Sequence, residues 1–178
     1  MVIRCADPEC DAAGCAAVYA GYVVDDPTSF EEEPPDAAEM ARRILAAHAW
    51  LVADDGGGMV GFAYATPHRP RAAYRWAVET SVYVVRGRQG EGLGRALYAA
   101  MLPELSERGF RTALAVIALP NAASVALHES FGFQAAGVLR RMGWKAGAWR
   151  DVGLWQLALG DSAWGGGEPP AEPYGRTS

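Results

Sequence analysis

Apolar and polar positions along the chain repeat with two periods, 2 and 3.6, the signatures of strands and helices. "VIR" near the start predicts a short strand. "DPECDAAGCAAVYAGYV" predicts a helix with Asp7 as N-cap and Pro8 at its first position. The next stretch, "DDPTSFEEEPP", cannot be helical throughout, because Pro27, Pro34 and Pro35 interrupt it. Asp36 and Glu39 then form a capping-box-like pair opening "DAAEMARRILAAH". "WLVAD" and "MVGFAYAT" flank "DGGG", a hairpin signal with a loop longer than two residues. We expect the acidic loop and this hairpin at the same end of the domain, which spacing alone does not establish.

The second half is more regular. "TPHRPRAAY" predicts a loop, "RWAVETSVYVV" a long strand, and Gly92 to Arg108 a helix with Gly109 as its cap. "RTALAVIAL" follows as a buried strand, and "PNAASVALHESF" as a helix with Pro120 or Asn121 near its start. "GFQAAGVLRRMGWK" and "RDVGLWQLAL" complete the set as two strands. From Gly160 to Ser178 the chain turns Gly/Pro-rich with little to bury, so residues 1–159 are expected to form one α/β domain and 160–178 a disordered tail.

Length and composition narrow the class. The chain has 178 residues, 51% of them apolar and 21% charged, which suits a globular domain with a real core. A net charge of −5 argues against a general nucleic-acid binder, which needs a basic surplus to neutralise phosphates. No stretch is apolar for long enough to span a membrane, and "MVIRCADPEC" lacks the apolar core of a signal peptide, so a cytoplasmic protein is expected. Cys5, Cys10 and Cys15 are odd in number and form no Cys-x-x-Cys, and His48, His68 and His128 are scattered. Free, mostly structural thiols and no metal are expected.

The chemistry concentrates in "VYVVRGRQGEGLGRALYAAM", where Gly87, Gly90, Gly92 and Gly94 separate a strand from a helix. A strand-to-helix turn points unpaired N–H groups toward an anion. A dinucleotide fingerprint begun at Gly90 meets Arg95 where its third glycine belongs, and a P-loop begun at Gly87 finds Leu93 and Gly94 in place of its lysine and hydroxyl residue. What fits is Gln89-Gly90-Glu91-Gly92-Leu93-Gly94, which resembles the R/Q-x-x-G-x-G/A loop of the GNAT superfamily of acetyltransferases. "YRWAVETSVYV", "VIALPNAASVALHESFGF" and "GVLRRMGWKAGAWRDVGLWQL" are similar to its phosphinothricin N-acetyltransferase branch, over roughly Ile3 to Leu159.

That resemblance implies a twisted mixed sheet of about seven strands with helices on both faces, splayed between the fourth and fifth strands. It implies acetyl coenzyme A in the splay, its pantetheine arm pairing along Val82, Tyr83 and Val84 and its pyrophosphate held by the loop from Gln89 through Arg95. Asn121 and Ser124 would meet the cofactor from the next helix. Glu79 stands where the family keeps its proposed general base, which an amine protonated at neutral pH requires. His128, in the place where many relatives use tyrosine, would protonate the departing thiolate.

Phe30, Arg69, Arg71, Tyr74 and Tyr83 would surround a small amino acid carrying a second acidic group, since guanidinium groups suit carboxylate and phosphinate oxygens. The family also implies direct transfer in a ternary complex and a homodimer, to which the tryptophan-rich "GWKAGAWRDVGLWQL" could supply an apolar surface, although Trp155 reads as core. Two departures stand out. Arg75 replaces an acidic residue, and Gln89 and Glu91 dilute the loop's basic character, leaving Arg86, Arg88 and Arg95 as local countercharges. Two alternatives share the fold: a non-catalytic acetyl coenzyme A sensor, which has no need of Glu79 and His128, and a peptide acetyltransferase, which needs an open groove.

Overall fold

The computed structural model describes residues 1–24, 26–160 and 171–174. Strand β1 (Val2–Cys5) leads into helix α1 (Pro8–Val24), then helix α2 (Ala37–Ala46) and the antiparallel hairpin β2 (Ala49–Asp54) and β3 (Met59–Pro67). A 3-10 turn (Ala72–Tyr74) precedes β4 (Ala77–Val84); helix α3 (Leu93–Glu107), β5 (Thr112–Leu119), helix α4 (Ala122–Ser130) and the hairpin β6 (Gln134–Lys145) and β7 (Ala148–Ala158) follow. The seven strands form one sheet in the order β1-β2-β3-β4-β5-β7-β6.

The local signals act as their chemistry requires. The Asp7 carboxylate accepts from the Glu9 and Cys10 amides at 2.8 and 3.3 Å, so α1 starts at Pro8. Asp36 accepts from the Glu39 amide at 2.7 Å, while Glu39 turns away to Arg43, at 2.7 Å, so only half of a reciprocal capping box forms. The predicted strand before the glycine turn is shorter than its apolar pattern: Arg75 and Trp76 lie in a turn, and pairing begins at Ala77.

Helices cover both faces. On one, Leu97, Tyr98, Met101 and Leu105 of α3 pack on Leu51, Ala63 and Val78. On the other, Tyr19 and Val23 of α1 and Met40 and Ile44 of α2 pack on Trp50, Val52 and Phe62. Burial from both sides explains why "AWLVA" is an unbroken apolar run. Trp155 is in the core, whereas Trp144 and Trp149 are exposed at the tip of the last hairpin.

Asp26 of the acidic loop and Asp55 of the first hairpin both pair with the segment after β4, through Arg86 and Arg88 respectively, so the two loops do share one end of the domain. Most of the expected disordered tail, residues 161–170 and 175–178, lies outside the described residues. The described part is held: Trp76 Nε1 donates to the Ala171 carbonyl at 3.1 Å, Arg75 pairs with Glu172, and the Tyr174 hydroxyl donates to the Glu107 carbonyl at 3.0 Å.

Candidate active site

The feature that creates the site is a parting of strands. β4 and β5 run parallel and pair at only three rungs, the last being Glu79 with Leu114. Beyond it β4 has no strand neighbour on that side, and Val82 and Val84 present main chain to the gap. A cavity of about 560 Å³ follows this edge, within the range of small-molecule sites. Val82, Tyr83, Val84, Gln89, Gly90, Gly92, Leu93, Gly94 and Arg95 line it from the β4 side and Asn121 and Ser124 from α4. All but one of the residues expected to meet the cofactor therefore wall one space.

The exception is Glu91, whose carboxylate turns to the Arg88 guanidinium at 2.8 Å. Local geometry makes the turn. Gly92 is the N-cap of α3 at φ +82, a left-handed conformation that side chains rarely adopt, and open space lies where its Cβ would be. Bare amides of the first helical turn thus face the cavity, a setting fit for a phosphate. Positive side chains contribute less than their number suggests: Arg86 is paired with Asp26 at 2.8 Å and Arg88 with Glu91 and Asp55. Of the three expected countercharges only Arg95 has no carboxylate among the described residues; it meets the Ser130 hydroxyl at 3.1 Å and lies over the Phe131 ring.

Asn121 caps α4, its Oδ1 accepting from the Ser124 amide at 3.0 Å, and it lines the cavity as well. His128 sits deeper, buried at the bottom of a small cleft between β4 and β5 that Asn121 and Ser124 share. Its Nδ1 lies 2.7 Å from the Ser124 carbonyl, which assigns the ring hydrogen there, and its Nε2 accepts from the Tyr98 hydroxyl at 3.0 Å. Burial lowers its pKa below the ordinary 6.5, so the imidazole is neutral at pH 7.

On the acceptor side, antiparallel pairing sets Phe62 opposite Tyr83, Tyr64 opposite Ser81 and Thr66 opposite Glu79. One face of two strands therefore carries aromatic and polar groups leading to Glu79. A second cavity, about 340 Å³, opens on this face between Tyr64, Thr66, Tyr19 of α1 and Arg43 of α2. Tyr83 is packed edge-on by Tyr19 and Tyr22 at 4.9 and 5.0 Å, and burial pushes its phenol pKa well up. Arg43 is fully engaged, forking onto Glu31 at 2.7 and 3.0 Å, while the Tyr19 hydroxyl donates to the same carboxylate at 2.9 Å.

Phe30 closes over β6. A Cβ at Gly143 would stand 2.6 Å from its ring, so only glycine admits it there. The Lys145 ammonium donates to the Glu31 carbonyl and ties down the same segment. Arg69 and Arg71 are exposed on the loop after β3 and make no ion pair among the described residues, and Tyr74 sits beside them. Tyr64, Thr66, Arg43 and His68 had not been marked out by motif. The first two were signalled by alternation in "FAYAT"; Arg43 comes from a separate helix and had no signal. Glu79 was expected, but its neighbour was not: His68 Nδ1 lies 2.7 Å from Glu79 Oε1.

Among the described residues no group of three or more His, Cys, Asp or Glu side chains could hold a metal ion, and no helix is long and apolar enough to cross a membrane.

Known proteins resemble this chain in sequence and in fold. The chain is 41% identical over 149 residues to a phosphinothricin N-acetyltransferase of Streptomyces viridochromogenes, covering 82% of this chain and 81% of that one. It is 33% identical over 167 residues to an L-methionine sulfoximine/L-methionine sulfone acetyltransferase of Salmonella typhimurium, covering 92% and 97%. Its fold superposes on the solved structure of a phosphinothricin acetyltransferase from Sinorhizobium meliloti in complex with acetyl coenzyme A, with a TM-score of 0.90, 33% identity and coverage of 97% and 95%. The acetyltransferase (GNAT) domain model matches residues 3–154, and with strands parting at Glu79 and bare amides at the start of α3, the chain belongs to the GNAT acetyltransferase family.

Proposed function

We propose that this protein is an N-acetyltransferase that moves the acetyl group of acetyl coenzyme A to the α-amine of a small amino acid or analogue of the phosphinothricin or methionine sulfone and sulfoximine type. The supporting observation is the place of Glu79. It occupies the last rung that β4 shares with β5, and although it lines neither cavity itself it stands opposite Thr66, which lines the second.

In this reading the free edge of β4 takes the pantetheine arm, and the turn from Gln89 to Arg95 takes the pyrophosphate. Bound acetyl coenzyme A supplies an activated thioester carbonyl. Glu79 removes a proton from the acceptor ammonium, and the freed nitrogen lone pair attacks that carbonyl directly in the ternary complex. As the carbon–sulfur bond breaks, the thiolate gains a proton, and the second proton of the attacking nitrogen, cationic after addition, restores the group that gave it. We assign His128 as that donor; because burial lowers its pKa, its contribution is greatest on the acidic side of neutrality. Asn121 and Ser124 steady the same end of the cofactor, while Arg69, Arg71 and Tyr74 receive the acidic end of the amino acid beneath Phe30.

The seating of Phe30 on Gly143 favours a small closed site over a peptide groove. A mere sensor of acetyl coenzyme A would have no use for a carboxylate at the parting of the strands. We also propose a cytoplasmic homodimer, since Val138, Leu139, Met142, Trp144 and Trp149 are exposed together on the last hairpin. Light scattering on the purified chain tests the dimer. Thiol release from acetyl coenzyme A across phosphinothricin, methionine sulfone, methionine sulfoximine, ordinary amino acids and lysine-bearing peptides tests the function. Release with the free amino acids is expected, and release with peptides alone would overturn the reading.

A further inference from the structure

His68 has no part in the function as described so far, yet it is in hydrogen-bonding contact with the side chain proposed to do the chemistry. β3 sends Phe62, Tyr64 and Thr66 to one face, and His68, two residues on, continues that alternation just past the strand's end. Its amide donates to the Ala77 carbonyl at 3.3 Å, which extends the β3–β4 ladder by one link. Its ring stands edge-on to Tyr74, with centroids 5.4 Å apart at 81°. These contacts aim Nδ1 at Glu79 Oε1, 2.7 Å away.

An ionised carboxylate only accepts hydrogen bonds, so at that distance the hydrogen belongs to Nδ1. Nε2 is then the basic nitrogen of the ring, and it makes no hydrogen bond among the described residues. The ionisable side chains in contact with the ring are Glu79 from β4 and Tyr74 from the 3-10 turn. Arg69 and Arg71 of the same loop are exposed and make no ion pair among the described residues.

We propose that His68 is a positioning residue for Glu79. This rests on Glu79 being the base. The Nδ1–H bond occupies Oε1 and fixes the plane of the carboxylate, leaving Oε2 for the acceptor ammonium. The proton removed from the amine moves to Oε2 and leaves to water when the acetylated product departs; His68 gains and loses nothing in that step.

Three variants decide it, each assayed for kcat and both KM values, with acetyl coenzyme A binding measured by calorimetry. His68→Phe keeps a ring beside Tyr74 but loses the donor, and kcat should fall roughly tenfold at the optimum with acetyl coenzyme A affinity kept. His68→Asn offers an amide N–H near the place of Nδ1. It should recover kcat to within about threefold. Glu79→Gln should be slow whatever residue 68 is. His68→Asn as slow as His68→Phe, or wild-type kcat in His68→Phe, overturns this proposal while leaving Glu79 as base. Wild-type kcat in Glu79→Gln overturns both.

Discussion

The two sides of the parted sheet are built from different material. The cavity along Val82 to Val84 and the turn before α3 is walled largely by main chain, from one continuous stretch of sequence with α4 laid against it. The cavity on the face that carries Glu79 is walled by side chains from α1, α2, β2 and β3, while Phe30 reaches across to β6. Main-chain amides bind whatever suits their geometry and tolerate changes of side chain, as the pairing of Arg86 and Arg88 with acidic neighbours shows. A side-chain wall is specific and is altered by single substitutions. One half of the site is therefore suited to a constant co-substrate and the other to a selected amine.

That contrast can be broken most forcefully at Glu79. Glu79→Gln should lower kcat by about a hundredfold or more while leaving acetyl coenzyme A binding intact, as expected of a lost general base. Equal loss of cofactor binding, measured by calorimetry, would show that the two sides are not separable. On the main-chain side, Gly92→Ala forces a side chain into a left-handed conformation at a cost of about 1–2 kcal/mol. The KM for acetyl coenzyme A should rise about tenfold, at 1.4 kcal/mol per decade, with the amino-acid KM little changed.

A smaller effect is expected from the exposed arginines. Arg71→Ala should raise the KM for an acidic analogue by about fivefold, the 1 kcal/mol upper range of exposed ion pairs, and leave the cofactor KM alone. Steady-state kinetics with both substrates varied separates these outcomes, and an unchanged amino-acid KM would remove Arg71 from the site.

The smallest effect concerns stability. Burial lowers the pKa of both His48 and His128 in the folded chain, so the unfolded chain takes up protons first as pH falls. Stability should be full above about pH 7 and decline as pH drops below the ordinary imidazole value of about 6.5. The midpoint of thermal unfolding should fall by a few degrees between about pH 8 and 5.5, at roughly 2–4 °C per kcal/mol. His128→Gln should flatten part of that slope, and a midpoint independent of pH would contradict it.

Much of the fold was legible because its signals are local. Asp7 and Asp36 mark helix starts through bonds within three residues, and Gly92 marks the turn through its own backbone angle. The motif also led to Glu79 and His128. Their surroundings were not legible. The sequence could not show that His128 is buried beside Tyr98 and Phe133 or that burial lowers its pKa. Arg75 read as replacing an acidic residue, and its pairing with Glu172 near the end of the chain had no signal in the sequence.

By itself the sequence determined the order of strands and helices, the helix caps, the glycine turn and the residue types available for acetyl transfer, because each depends on neighbours a few positions apart. Tertiary structure alone decided which groups are paired and which are free: that Arg43 is committed to Glu31, that Arg86 and Arg88 are matched to Asp26 and Asp55, and that His68 faces Glu79. Those pairings join residues 11 to 60 positions apart, and charge, burial and hydrogen bonding take their values only once the sheet has brought such partners together.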